Sequence, residues 1–475
     1  MLLNLLSLVG IAGLCAIAWG FSEDRRTIPW KVLLWGIGLQ LVIGALVFLV
    51  PPTRELVLIL NNALNAVIDA SEAGARFLFS PLFVPQPAAT PSAPVLAGRW
   101  IARSISPPYV SGVGDQLGAA NLNVGFVLAF RVLPQVIFFS AVVNLLYHLG
   151  IIQPVVRVFA QLFRRTMNLS GAESLSGAAN IFVGIESALA VKPFLADMTR
   201  SELCAILASC FGSIASTVLA LYASFLRPVF PAITGHLMSA SILTIPACFV
   251  IAKIMVPEKG VPVTLGVVPE DPEEEGDGTQ KSWMDSLILG ALDGVKLAVG
   301  IAAVIIAILG LKELINMIFL NLAGLSSSPN VILGAIGQFF SVVSLENMFG
   351  VIFFIPTFLT GVSLDFSEVW QASILIGSRV LETSVPPYLA LAKLYGAGEI
   401  NQRTMLIVSY VLCGFAHIPS VGIFAGGLSS LVPSRRHDIS QIVWKALLAG
   451  TLATLMTGCI AGLFDTGNAA ILGIS

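Results

Sequence analysis

The stretch Ser170–Met198, SGAESLSGAANIFVGIESALAVKPFLADM, sets the tightest limit on what this chain can fold into. It lies among long apolar segments, yet it carries three carboxylates, one asparagine, four serines and three glycines, and a Lys192-Pro193 step interrupts it. A helix crossing a bilayer needs about 20 apolar residues, and every polar group left unsatisfied in hydrocarbon costs several kcal/mol. A straight crossing is therefore excluded. The composition predicts a re-entrant hairpin: a short helix enters, the chain breaks near Gly184, and a second segment returns to the same side. Irregular backbone is tolerated at membrane depth only where it is buried in protein or lines a wet cavity, so the hairpin marks a site.

The rest of the chain supplies the membrane context. Of 475 residues, 56% are hydrophobic and 11% charged, and the mean hydropathy is +0.91, outside the range of ordinary soluble domains. This is the composition of an all-α polytopic membrane protein. A net charge of -2 with no basic patch leaves nucleic-acid binding nothing to rest on. Cys15, Cys204, Cys210, Cys248, Cys413 and Cys459 sit in apolar segments without metal-ligand spacing and read as packing residues. Leu2–Phe21 lacks the basic n-region and cleavage site of a secretory signal, so it stays as span one.

Short basic loops orient the spans. Arg25, Arg26 and Lys31 place the loop before span two (Val32–Val50) in the cytoplasm and the N-terminus outside. Asn61–Phe79 reads as an interfacial amphipathic helix, and Pro85–Asn121 as a flexible extramembrane loop. Span three (Gly125–Leu149) ends at Arg157, Arg164 and Arg165, again cytoplasmic. After the hairpin come span four (Leu203–Leu226), span five (Ala232–Met255) and an acidic cytoplasmic linker, Pro257–Lys281. A tilted or interfacial helix from Ser282 leads into span six (Val295–Phe319), and interfacial segments reach Gly361. Trp370–Lys393, with Arg379 and Glu382 in its middle and Pro386-Pro387 after them, reads as a second re-entrant hairpin. Span seven (Thr404–Leu428) and span eight (Ile442–Leu463) flank Arg435 and Arg436, which leaves the C-terminus outside. The expected organisation is a scaffold from 1–84, 122–165 and 282–367, with the 85–121 loop and 257–281 linker between its parts. Transport repeats occupy 166–256 and 368–430, and residues 431–475 hold a C-terminal membrane helix.

A repeat is visible within this order. Glu186-Ser187, Pro193-Phe194-Leu195-Ala196 and Phe211–Ser216 recur as Glu382-Thr383, Pro387-Tyr388-Leu389-Ala390 and Phe415–Ser420. By the loop charges span four runs outward and span seven inward, so the two units are inverted. Eight spans plus two broken hairpins in inverted repeat is the pattern of secondary transporters, whose cargo and ion sit where the repeats meet.

GAESLSGAANIFVG (Gly171–Gly184), VKPFLADMTRSEL (Val191–Leu203), IPACFVIAKIMVPE (Ile245–Glu258), LCGFA (Leu412–Ala416) and GGLSSLVPSRR (Gly426–Arg436) resemble the concentrative nucleoside transporters over nearly the whole chain. The resemblance implies a sodium- or proton-coupled nucleoside symporter of the cytoplasmic membrane. It further implies a homotrimer in which a scaffold holds a mobile domain of hairpins and partner helices. It implies a sodium site at Asn180, the Val183 carbonyl, Ser213 and the Ile214 carbonyl, an oxygen set suited to a hard cation. The implied substrate site takes Gly184, Ile185 and Glu186 at the tip of hairpin one and Val218 as an apolar wall. Thr383 and Ser384 contribute from hairpin two, and Phe415, His417 and Ser420 from span seven. Here the chain departs from its relatives. Relatives carry Gly-Gln-Thr-Glu-Ala-Pro where this chain reads Gly184-Ile185-Glu186-Ser187-Ala188-Leu189, which aligns with one residue deleted ahead of Glu186 so that Glu186 keeps the place of the family glutamate, and their hairpin-two Asn-Glu pair is Thr383-Ser384. Ser384 cannot offer a ribose diol the charge-assisted bonds of a carboxylate, worth about 1.5–3 kcal/mol each.

Individual residues have two readings. His417, which replaces the family asparagine, is a cargo donor or proton-sensitive gate, or else a neutral histidine satisfied by backbone. Glu382 is a site carboxylate or the partner of Arg379 in an intra-helical ion pair. The leading function is sodium-coupled symport of a nucleoside or nucleoside-like metabolite. A non-nucleoside cargo, proton coupling, a passive channel and an intramembrane enzyme are the alternatives, and nothing in the sequence supplies an enzyme's nucleophile, metal cluster or triad.

Overall fold

The computed structural model describes residues 2–84, 95–96, 122–123, 127–267, 282–468 and 473. Most of the expected 85–121 loop and the acidic run Glu270–Glu275 lie outside them. In chain order the helices are α1 (Leu2–Gly20), α2 (Trp30–Leu49), α3 (Pro51–Phe83), α4 (Leu128–Arg131), α5 (Leu133–His148) and α6 (Ile152–Met167). Hairpin one is α7 (Gly171–Val183) followed by a 3-10 segment, Gly184–Phe194. Then come α8 (Arg200–Gly212), α9 (Ser216–Leu226), α10 (Ile233–Met255), α11 (Trp283–Ala323), α12 (Val331–Val342) and α13 (Leu345–Leu359). Hairpin two is α14 (Phe366–Glu382) and α15 (Val385–Gly396), and the chain closes with α16 (Gln402–Leu412), α17 (Ile418–Leu431) and α18 (Arg436–Phe464). A two-residue parallel ladder, β1 (Val95–Leu96) with β2 (Leu122–Asn123), is the only named sheet among the described residues.

Six helical stretches are long and apolar enough to cross a bilayer: Leu2–Gly20, Trp30–Leu49, Leu128–His148, Ile233–Met255, Trp283–Ser327 and Pro433–Phe464. Expected spans four and seven are instead each two short helices. Ser213–Ala215 separates α8 from α9, and Cys413–His417 separates α16 from α17, where Pro419 has no N–H to continue a helix upstream. Three other expectations change. The helix from Ser282 and span six are one rod, α11, since no proline interrupts its 41 residues. At 1.5 Å per residue that is about 60 Å, twice the hydrocarbon thickness. The interfacial helix expected at Asn61 begins at Pro51 and runs to non-helical backbone at Ser80. The segments before Gly361 form a pair, α12 and α13, bent by 61°.

The chain forms two compact units. One, Asn62–Leu149 with Gln280–Ala302, packs α5 on the first half of α11. Gly290 and Gly294, four apart, bring the α11 backbone against Ser140, Ala141 and Ile137, and Asn144 Nδ2 donates to the Ser286 carbonyl at 2.9 Å. The other, Met1–Asn61, Gly150–Thr279 and Ala303–Ser475, holds both hairpins and both broken spans. Arg403 ties its elements by donating to Gly361, Asn4, Asp465, Ser7 and Gly462. At the loop after α1, Glu23 meets Arg200 at 3.0 Å and Lys445 at 2.9 Å. Burial opposes its ionisation, but the two cations hold its carboxyl below the usual range. Its stabilising contribution therefore fades as pH falls through that lowered value.

Where the two breaks meet α18, three glycines allow backbone to touch backbone. A Cβ at Gly450 would sit 2.6 Å from Phe211 Cβ, and one at Gly414 would sit 2.7 Å from the Gly212 carbonyl oxygen. Gly450→Leu is expected to force these elements apart at a cost of about 1–3 kcal/mol or more. Thermal unfolding in detergent measures it, and an unchanged midpoint would contradict this packing.

Candidate functional site

Hairpin one starts where its sequence says it should. Ser170 and Glu173 form a capping box, with Ser170 Oγ accepting from Glu173 N at 3.2 Å and Glu173 Oε1 from Ser170 N at 2.8 Å. Thr199 and Glu202 repeat the arrangement at the start of α8. Lys253 Nζ, near the end of α10, reaches Glu173 at 2.9 Å and Glu258 at 3.2 Å, and Thr199 Oγ1 donates to Glu258 at 2.9 Å. The bases of hairpin one and span four are thus fastened to one lysine. Helix α7 then breaks at Gly184, whose φ of 67° is a conformation glycine adopts without strain.

At that break lies the expected ion position. Asn180 is fully buried, and neither its Oδ1 nor its Nδ2 has a protein partner. Ser213, in the gap of span four, directs its hydroxyl at the Asn180 carbonyl (3.1 Å) and the Ser209 carbonyl (3.0 Å). Its proton is thereby committed and its lone pairs are left over. Val183 is the last residue of α7, and buried Ile214 lies in the span-four gap. An orphaned buried amide costs about 1–3 kcal/mol unless something satisfies it. Here a hydroxyl and interrupted backbone adjoin it, and no cluster of three His, Cys, Asp or Glu suited to a metal occurs among the described residues. An oxygen set of this kind fits a hard monovalent cation such as sodium.

The second hairpin closes on the second break. Ser384 Oγ donates to the carbonyls of Leu412 and Gly414, both at 3.0 Å, and Thr383 Oγ1 accepts from Val385 N at 3.4 Å. His417 caps α17: its Nδ1 accepts from Ser420 N at 3.2 Å and lies 2.9 Å from Ser420 Oγ. That acceptor role leaves Nε2 to carry the proton. Phe415 stands edge-on to His417, with ring centroids 5.8 Å apart. Val218, on α9, is buried, and α9 packs on α15 through stacked Tyr222 and Tyr388 at 4.7 Å. Helix α17 contacts the 3-10 tip of hairpin one, so both tips and both breaks share one region. Of Val183, Ile185 and Glu186 only the backbone is described, with Gly184, Ile185 and Glu186 opening the 3-10 tip.

One of the two readings of Glu382 is overturned. Glu382 does not pair with Arg379; it pairs with Lys312 of α11 at 2.7 Å, and the same lysine pairs with Glu346 of α13. Arg379 instead points inward, where Nη1 donates to the Val411 carbonyl and, at 3.0 Å, to Thr454 Oγ1. One helical turn separates the two residues, but their heads serve different neighbours. Lys312 was not singled out in the sequence, although the Lys312-Glu313 step directly after the apolar run Leu297–Leu311 was a signal, because charges at such depth rarely occur without a partner or a pathway.

The chain matches the family descriptions "Na+ dependent nucleoside transporter N-terminus" over residues 9–82, "Nucleoside recognition" over 129–229 and "Na+ dependent nucleoside transporter C-terminus" over 236–462. It is 32% identical to an uncharacterized transporter of Haemophilus influenzae, over 98% of this chain and 99% of that one. It is 31% identical to the nucleoside permease NupC of Helicobacter pylori, over 98% and 99% of the two chains. Among solved structures, CNTnw in an inward-facing substrate-bound state aligns with a TM-score of 0.78 at 30% identity, over 98% of this chain and 99% of that one. Variants of CNTnw in outward-facing and intermediate states align as well.

Proposed function

We propose, from the premise that the chain belongs to the concentrative nucleoside transporter family, that it is a sodium-coupled symporter of nucleosides or nucleoside-like polar metabolites in the cytoplasmic membrane. The family is one of nucleoside transporters with alternating-access states, not of enzymes. The reading adds the coupling ion, held by Asn180, Ser213 and the carbonyls of Val183 and Ile214. It also adds a cargo place bounded by Gly184, Ile185, Glu186, Val218, Thr383, Ser384, Phe415, His417 and Ser420. A scaffold and homotrimer of the family kind complete it. The observation that carries it is the buried, unpartnered amide of Asn180 beside the span-four break.

Sodium would bring to this place a positive charge and the energy of its gradient. The chain's own residues do the rest. Hairpin one and the interrupted span four bring the oxygens together, and His417, with Nδ1 occupied, has Nε2 as its donor, itself 3.2 Å from Ser420 Oγ. One observation favours a narrower cargo. The hydroxyl proton of Ser384 is committed to backbone carbonyls and Oε1 of Glu382 to Lys312, so Ser384 can offer a ribose diol only a neutral acceptor and Glu382 no undivided carboxylate. A solute recognised chiefly through its base is therefore the second reading. Uptake into proteoliposomes under an imposed sodium gradient, with a panel of ribonucleosides, deoxynucleosides and free bases, tests both. Sodium-driven accumulation of at least one is expected, and uptake of the whole panel indifferent to sodium rejects the proposal.

A further inference from the structure

Counting back from the two hairpin breaks puts Asn180 and Arg379 in corresponding places. Helix α7 ends on Gly184 (φ 67°) and α14 on Thr383 (φ 115°), and the two side chains stand four residues before those caps. Both residues are fully buried. Each also meets the end of the half-helix that precedes a span break. Asn180 does so through its backbone carbonyl, which accepts from Ser213, the C-cap of α8, and Arg379 through its guanidinium, which donates to Val411 in the last turn of α16. The C-terminal end of a half-helix carries partial negative charge, and in inverted-repeat transporters such ends and their unwound carbonyls hold the coupling cations. At this position repeat one has a neutral amide with spare polar atoms. Repeat two has a permanent cation.

The charge of Arg379 is not cancelled by a carboxylate. No ion pair involves it among the described residues, and Glu382, one turn away, belongs to Lys312. Nε and Nη2 have no protein partner, so its contacts are those of Nη1 with the Val411 carbonyl and Thr454 Oγ1. A buried guanidinium is expensive unless something offsets it. What the structure sets against it is the carbonyl end of α16.

We infer that Arg379 is a tethered cation, filling in repeat two the place that corresponds to the exchangeable-ion place of repeat one, so that the paired breaks take up one free cation per cycle and not two. The inference rests on the reading of Asn180 and Ser213 as ion ligands. It differs from a purely structural role in one respect: a tethered cation can be replaced by a free one, whereas a structural donor is replaced by any donor of similar shape.

The test is thermal unfolding of the purified full-length protein at constant ionic strength in choline, sodium or low-millimolar guanidinium. Arg379→Ala is expected to unfold at a lower temperature in choline and to recover in guanidinium or sodium. Its sodium dependence should steepen from about one ion to about two, as linkage requires when a second site opens. Arg379→Lys should keep the wild-type response. Recovery that is blind to the identity of the cation, or an Arg379→Gln protein as stable in choline as the wild type, overturns the inference. If Arg379→Ala yields no folded protein, anomalous diffraction from the wild type with thallium in place of sodium decides. Thallium at Asn180 alone supports the inference, and thallium between α14 and α16 beside Arg379 overturns it. A wild-type sodium response that survives Asn180→Ala unchanged removes the ion-site reading and the correspondence with it. Failure of guanidinium to restore Arg379→Ala removes only the tethered cation.

Discussion

Asn180→Ala should reverse the order of stability between sodium and choline. Without sodium, the wild type carries a buried amide with neither end satisfied, which costs about 1–3 kcal/mol. The alanine variant removes that amide, so in choline it should unfold at or above the wild-type temperature despite the volume it loses. With sodium the wild type gains RT ln(1 + [Na]/Kd), and the variant, short of one charged-group contact worth about 1.5–3 kcal/mol, binds about 10- to 100-fold more weakly. In sodium it should therefore unfold below the wild type, and in proteoliposomes the sodium concentration for half-maximal uptake should rise by the same factor. Ser213→Ala should shift sodium affinity the same way. It should also destabilise in choline, because its hydroxyl proton holds the Asn180 carbonyl at 3.1 Å. A variant that tracks the wild type in both salts would mean that Asn180 only packs.

The parts of this site that could be read from sequence are those where polar residues have no place in lipid. The run of serines, glycines and carboxylates from Ser170 forces a hairpin, and Gly184 names its break, because a φ of 67° suits glycine. The second hairpin was visible through Arg379 and Glu382, but its break was not, since Thr383 gives no hint of a φ of 115°. Side-chain partners were illegible for a different reason. Glu382 meets Lys312 seventy residues away, and Ser384 meets carbonyls that exist as free acceptors only because span seven is interrupted. Local spacing allowed Arg379 as the partner of Glu382 beside a site role, and tertiary packing decided against the pair. Helix α6 was legible and passed over. Its buried Ile152, Val156, Ala160, Phe163 and Met167 recur at the helical period, while the sequence reading used only its arginines.

Lys253→Met should cost more than any other single change argued for this chain. Its ammonium lies 2.9 Å from Glu173, itself 1% exposed, and 3.2 Å from Glu258, and it is the one cation paired with Glu173 among the described residues. Methionine fills the volume but leaves a carboxylate in the interior with the Ser170 backbone N–H as its hydrogen-bond donor. Breaking a buried pair from one side costs about 3–5 kcal/mol, which corresponds to a fall in unfolding temperature on the order of 10 °C. Adding Glu173→Gln should recover much of that loss, because the double variant has no stranded charge on hairpin one. A loss that comes from the missing lysine stem instead would persist in the double variant. The single variant should also transport poorly, since Glu173 and Glu258 fix the starts of α7 and α8, the two helices whose ends place Asn180 and Ser213. A Lys253→Met protein as stable as the wild type would show that Glu173 is satisfied in some other way, and that hairpin one does not depend on α10 for its footing.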